Sequence, residues 1–167
     1  VIPRYRPASA EYDVAVSLAG PWSDQFFHWF VEYLPRLIAV EAYAGKLDID
    51  PVYLVPTDRP NWMSRSLELL HIPDNRIFSW KGGRVQVQQL LVPSLWRDTE
   101  STAPEEGYVH SPRGISEVAT RMRNNVSDAE RRDRVGTRIY ISRSGESTRQ
   151  VVNEDELRST LDAYGFD

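Results

Sequence analysis

The 167-residue chain contains no cysteine. That absence excludes disulfides, thiolate metal sites and a cysteine nucleophile, and it fits a reducing compartment. The chain also lacks any apolar run near the ~20 residues that a membrane-spanning helix needs. Its most apolar stretch, Phe26 to Val40, is interrupted by His28, Glu32, Pro35 and Arg36. Positive charge is not in excess: 20 Lys and Arg stand against 24 Asp and Glu, a net charge of -4. No global field would therefore draw the protein to nucleic acid. Arg121, Arg123, Arg131, Arg132 and Arg134 do cluster, but Asp128, Glu130 and Asp133 lie among them, the pattern of a solvated helix face. The three histidines, His28, His71 and His110, share no metal-ligand spacing with one another or with carboxylates. No nucleophile elbow, phosphate-binding glycine loop or internal repeat is present, and Gly82-Gly83 reads as a turn. No metal and no cofactor are expected. Val1 stands first with no signal-peptide pattern after it, which fits an excised segment.

What is present alternates between strand and helix. Tyr12 to Leu18 mixes β-branched and small apolar residues and ends at Ala19-Gly20-Pro21, as a strand meeting a loop does. Ser23 or Asp24 can then cap a long helix, with Phe27, Val31, Leu34 and Ile38 on its buried face, a kink or break at Pro35 and an end at Gly45. The pattern continues with a strand at Pro51–Pro56, a helix from about Asn61 to Leu70, a strand at Arg76–Trp80 and an extended segment from Val85 to Val92. Thr99 to Pro112 reads as a loop and Ile115 to Asn124 as a helix. Thr137 to Ser142 has strong β propensity. Asn153 and Glu156 form a capping box for a last helix, which ends at Tyr164 with Gly165 in the left-handed position. This order predicts an α/β fold with a mainly parallel sheet. A strand and a capped helix at the end also read as the opening of a βαβ unit, so further chain is expected after Asp167.

On a helix, Gln25, His28, Glu32 and Arg36 fall three, four and four residues apart and form one polar stripe beside aromatic residues such as Trp29. Such a surface suits a sugar, whose hydroxyls need hydrogen bonds and whose ring faces stack on aromatics. His28 and Glu32 can together supply a general base, either one orienting the other. The same spacing also fits a solvated face in which Glu32 pairs with Arg36. Arg143 follows the Thr137–Ser142 segment directly, and Arg149 lies near the end of the same Ser/Gly-rich loop. Guanidinium groups there can clamp a diphosphate, or simply be solvated. Asn125-Val126-Ser127 matches the glycan-acceptor tripeptide, a pattern that arises often by chance.

Several of these segments, in order, resemble glycosyltransferase family 61. They are His28-Trp29-Phe30-Val31-Glu32-Tyr33-Leu34-Pro35-Arg36-Leu37, Tyr53-Leu54-Val55-Pro56, Ser66 to Pro73, Leu91-Val92-Pro93-Ser94, Ile139-Tyr140-Ile141-Ser142-Arg143 and Val152 to Leu157. The resemblance implies a Rossmann-like domain of a GT-B type enzyme, at 1–114, then a connecting helix and linker at 115–136 and the start of a donor-binding domain at 137–167. It implies an inverting transfer of a hexosyl or pentosyl group from a nucleotide sugar to a glycan or lipid-linked acceptor, in surface or capsular polysaccharide synthesis. His28 or Glu32 would be the catalytic base. Arg143 and Arg149 would hold the donor diphosphate, and Gln25, Trp29 and Arg36 the acceptor sugar, with no obligatory metal. The expected setting is the cytoplasm, with peripheral attachment to a membrane allowed. The family's His-Gly-Ala-Gly-like donor segment does not occur in the chain, so these residues alone are expected to be inactive or nearly so. The rival reading is a Rossmann-like module that binds a glycan or a partner without catalysis. A hydrolase or nucleotide-binding protein on a similar fold would need a nucleophile or a phosphate loop, and neither is present.

Overall fold

The computed structural model describes residues 8–93, 110–128, 136–145 and 150–167. The chain divides into two compact units, Val1–Asn125 and Val126–Asp167.

The first unit is built on four strands, β1 (Ala10–Ser17), β2 (Val52–Pro56), β3 (Ile77–Trp80) and β4 (Val85–Leu91). They lie in the order β3-β2-β1-β4, and every neighbouring pair is parallel. The expected α/β, Rossmann-like fold is what the chain adopts. Val16 of β1 is in register with Tyr53 of β2 on one side and with Leu91 of β4 on the other. Ala15 and Val16 are adjacent in sequence and both fully buried, so the sheet is covered on both faces at that level, as parallel sheets require. Nearer the start of β1, Glu11 and Asp13 are exposed.

After β1 the expected single kinked helix resolves into three pieces: α1 (Phe26–His28), a π-helical turn (Trp29–Tyr33) and α2 (Arg36–Leu47). Pro35 separates the last two. It has no N–H to give, and in an α-helix its ring would clash with the carbonyl four residues back, that of Val31. The turn before it widens instead, and the Leu34 N–H reaches the carbonyl of Trp29 at 2.9 Å. The wide turn rotates the buried face. Trp29, Tyr33, Leu34, Leu37, Val40 and Ala44 are buried, whereas of Phe27, Val31, Leu34 and Ile38 only Leu34 is, and Phe27 is 54% exposed. Gly45 does not end α2. The helix runs on to Asp48, left-handed at φ 53°, whose N–H bonds Ala44, a conformation that Asp tolerates. Neither Ser23 nor Asp24 caps α1; Gln25 holds that position without a side-chain bond.

Two more helices close the core. In α3 (Asn61–Leu69), the helical spacing puts Met63, Ser66, Leu67 and Leu70 on one face; the first three are buried, while Leu69 is buried in place of the half-buried Leu70. Ser66 is tolerated there because its hydroxyl accepts from Trp29 Nε1 at 2.8 Å and donates to the Met63 carbonyl at 2.6 Å. Helix α4 (Pro112–Asn124) begins three residues before the expected Ile115. Ser111 caps it by accepting from the Gly114 N–H at 3.2 Å, and Pro112 occupies the first turn. Val118 and Met122 of α4 join the core, and Arg121 pairs with Glu41 of α2 and with Glu117.

In the second unit, α5 (Glu154–Ala163) begins after Asn153 and ends at Tyr164, with Gly165 at φ 73°, as expected. Its start differs in detail, since the Asn153 side chain meets Glu156 at 3.4 Å and no backbone amide is capped. Thr137–Ser142 forms no regular strand. The Asp167 N–H donates to the Arg138 carbonyl and the Tyr140 N–H to the Asp167 carbonyl, each at 3.0 Å. That is one bridge of parallel type, and a strand needs a ladder. The expected 99–112 loop falls almost wholly, and Arg131, Arg132 and Arg134 entirely, outside the described residues.

Two outcomes follow from this core. Ser66→Ala leaves the buried Trp29 N–H without an acceptor and should destabilise the protein by about 1–3 kcal/mol in urea titration. Burial, reinforced by Glu41, pushes the Tyr53 phenol up to about 12 from its ordinary 10. Its raised value contributes stability that is intact below pH 10 and is lost as pH climbs from 10 towards 12. Absorbance titration of Tyr53→Phe should lose a late-ionising tyrosine, and the variant should flatten the alkaline loss of stability over that window.

Candidate active site

The loop that leaves β1 is folded tightly before the helix begins. The Ser23 hydroxyl accepts from the Gly20 N–H at 3.1 Å and donates to the Gly20 carbonyl at 2.8 Å. The Tyr33 hydroxyl donates to the Pro21 carbonyl at 2.9 Å and so ties the loop to the π turn. A Cβ at residue 20 would lie 2.6 Å from that hydroxyl oxygen, so only glycine allows the approach. Trp22 pays for the tight path with a left-handed backbone, φ 62°. A bulky residue there is a conformational outlier, and such outliers gather at functional sites. The Trp22 ring, 60% exposed, stacks on the His28 imidazole with centroids 5.2 Å apart and planes 28° from parallel.

His28 and Glu32 do come together. His28 Nδ1 lies 3.1 Å from Glu32 Oε1, with side chains 24% and 19% exposed. The approach is close enough for an ion pair but out of line for a hydrogen bond, and Nδ1 has no hydrogen-bond partner among the described residues. The pair is thus partly withdrawn from water yet reachable. Arg36 does not compete for the carboxylate: its Nε donates to the backbone carbonyl of Glu32 at 3.1 Å, and its guanidinium sits 4.3 Å over the Tyr33 ring. The Glu32–Arg36 ion pair that the spacing equally allowed is not formed. Burial pushes the Tyr33 phenol above its ordinary range. Arg36 opposes that shift, while the carboxylates of Glu32 and Asp24 add to it.

The other expected site residues are placed as follows. Gln25 is exposed at the start of α1. Trp29 lies in the core with no face open to solvent and its N–H on Ser66. The aromatic surface beside His28 comes from Trp22 and from Phe27, whose ring meets the imidazole edge-on at 5.4 Å. Phe27 also meets His110 edge-on, at 5.4 Å. Arg143 is exposed in the second unit, and Arg149 lies outside the described residues. In that unit the nearby Ser142 hydroxyl, then Tyr140 and Arg158, hold the Glu154 carboxyl below its usual range against the opposing effect of burial. Among the described residues no group of three or more His, Asp or Glu side chains is placed to hold a metal, and no helix is long and apolar enough to cross a membrane. Trp22 and Tyr33 were not singled out by spacing, because a left-handed tryptophan and a tyrosine clamp leave no periodic trace.

A parallel sheet whose first strand feeds a loop, a π turn and an imidazole–carboxylate pair defines a Rossmann-like α/β protein with polar chemistry where α1 meets the π turn. The Glycosyltransferase 61 family model matches residues 26–167, and the chain belongs to that family of glycosyltransferases. No curated protein and no solved structure matches it.

The clamp between Tyr33 and Pro21 is open to test. Tyr33→Phe should raise amide hydrogen exchange across 20–25 and shift Trp22 emission, while global stability falls by only about 0.5–1.5 kcal/mol.

Proposed function

We propose that the chain supplies the acceptor-side domain of an inverting glycosyltransferase. That enzyme would move a hexosyl or pentosyl group from a nucleotide sugar to a glycan or lipid-linked acceptor in surface polysaccharide synthesis. The observation that carries this reading is the 3.1 Å approach of His28 Nδ1 to Glu32 Oε1 in a largely buried setting, within a chain of this family. Inversion at the anomeric carbon needs a base to take the proton of the attacking hydroxyl. A carboxylate and an imidazole in contact can share that task, one accepting the proton and the other fixing its partner's orientation. Trp22 covers one face of the imidazole and so limits how the ring can turn. Leaving-group charge would be met by Arg143, with Arg149 at the far end of the same loop, through paired hydrogen bonds to the diphosphate. The chemistry asks for no metal, because guanidinium groups can carry that charge.

Sugar transfer and donor hydrolysis by the enzyme expressed from its full reading frame test the assignment. Glu32→Gln should lower kcat by about 10²–10⁴ with little change in donor KM. His28→Ala should lower kcat as well. Unchanged turnover in both variants removes the pair from catalysis.

A further inference from the structure

A concave site lies over the carboxyl ends of β1, β2 and β3, where open parallel sheets receive ligands. It is a cavity of about 430 Å³ lined by Gly20, Asp24, Thr57, Asp58, Trp80 and Lys81, among others. That volume falls within the roughly 300–1,000 Å³ typical of small-molecule sites. Its lining combines three kinds of group. Trp80, 36% exposed at the end of β3, offers an indole. Asp24 and Asp58 are exposed carboxylates, and neither forms an ion pair among the described residues. Lys81 adds one ammonium group.

We propose that this cleft is the acceptor subsite and takes the neutral, hydroxyl-rich sugar at the end of the acceptor. This inference rests on the glycosyltransfer reading above and adds the class of acceptor. Carboxylates only accept hydrogen bonds, and neighbouring sugar hydroxyls present pairs of donors at the matching separation. The apolar C–H face of a pyranose lies well on an indole. Two carboxylates against one ammonium leave the lining net negative, which disfavours a uronate or phosphate and separates this cleft from any donor-diphosphate site. Position supports the assignment. One loop, residues 20–25, carries Asp24 into the cleft and Trp22 onto His28, and Tyr33 pins that loop to the turn bearing Glu32. An acceptor seated in the cleft is thereby held by the same loop that borders the proposed base.

The test needs no donor. The 167-residue chain is presented to an immobilised panel of neutral mono- and disaccharide glycosides and their matching uronides. At least one neutral glycoside should bind, about tenfold or more tighter than its uronide. Trp80→Ala and Asp58→Asn should each weaken that binding by about tenfold or more, with thermal melting confirming the fold and Trp80→Phe restoring part of the loss. No binding to any neutral glycoside, preference for uronides, or binding unchanged in both variants overturns the proposal. The outcome separates from that of the transfer reading. Binding that maps to Trp80 and Asp58 in an enzyme without transfer activity removes only the catalytic assignment. Transfer whose acceptor KM is untouched by Trp80→Ala removes only the cleft.

Discussion

Pro35 lacks an amide hydrogen, and much of the first unit follows from that. With no N–H to offer the Val31 carbonyl and a ring that would collide with it, an unbroken α-helix from Phe26 to Leu47 is excluded. The backbone answers by spacing one turn more widely, so that Leu34 bonds back to Trp29. Such wide turns are rare and concentrate at functional sites. Here the turn sets the phase of everything on either side. It sends Trp29 and Tyr33 inward, leaves Phe27 in solvent, and puts Glu32 against His28 with Arg36 turned onto Tyr33. Gly114 of α4 packs on the same proline, with room for a Cβ only 3.2 Å from Pro35 Cβ. The break is therefore held from outside as well as caused from within.

The strands and α3 were legible because their signals are local. Val52 to Pro56 and Ile77 to Trp80 are short β-rich runs between turn residues, and Met63, Ser66 and Leu67 recur at a regular helical period. The face of the first long helical region was misread because its period is not constant. A spacing rule that assumes 3.6 residues per turn goes out of phase across a π turn, which exposed Phe27 and hid Trp29. The end of α2 was misread for a related reason. Gly45 is a common stop, but the left-handed position falls three residues later and is taken by Asp48. The Thr137–Ser142 segment has the composition of a strand, yet a strand is a property of its neighbours, and a single bridge to Asp167 does not make one.

The candidate site was half legible. The contact of His28 with Glu32 followed from four-residue spacing, which survives the widened turn. What spacing could not show is why the pair stands apart from Arg36, or that the loop before it is fastened at three points: Ser23 on Gly20, Tyr33 on Pro21 and Trp22 on His28. Those contacts join residues of unlike type at irregular separations. They depend on Gly20 having no side chain, a requirement visible only once the tyrosine hydroxyl is seen beside it.

The left-handed backbone of Trp22 sets two pressures against each other. Glycine is the residue best suited to φ 62°, so directed evolution for thermal tolerance alone would favour Trp22→Gly. The same change would strip the imidazole of its aromatic cover. A protein hardened in this way would gain shelf life and leave the histidine free to swing, so position 22 should be held fixed in any campaign that selects for robustness without also scoring turnover.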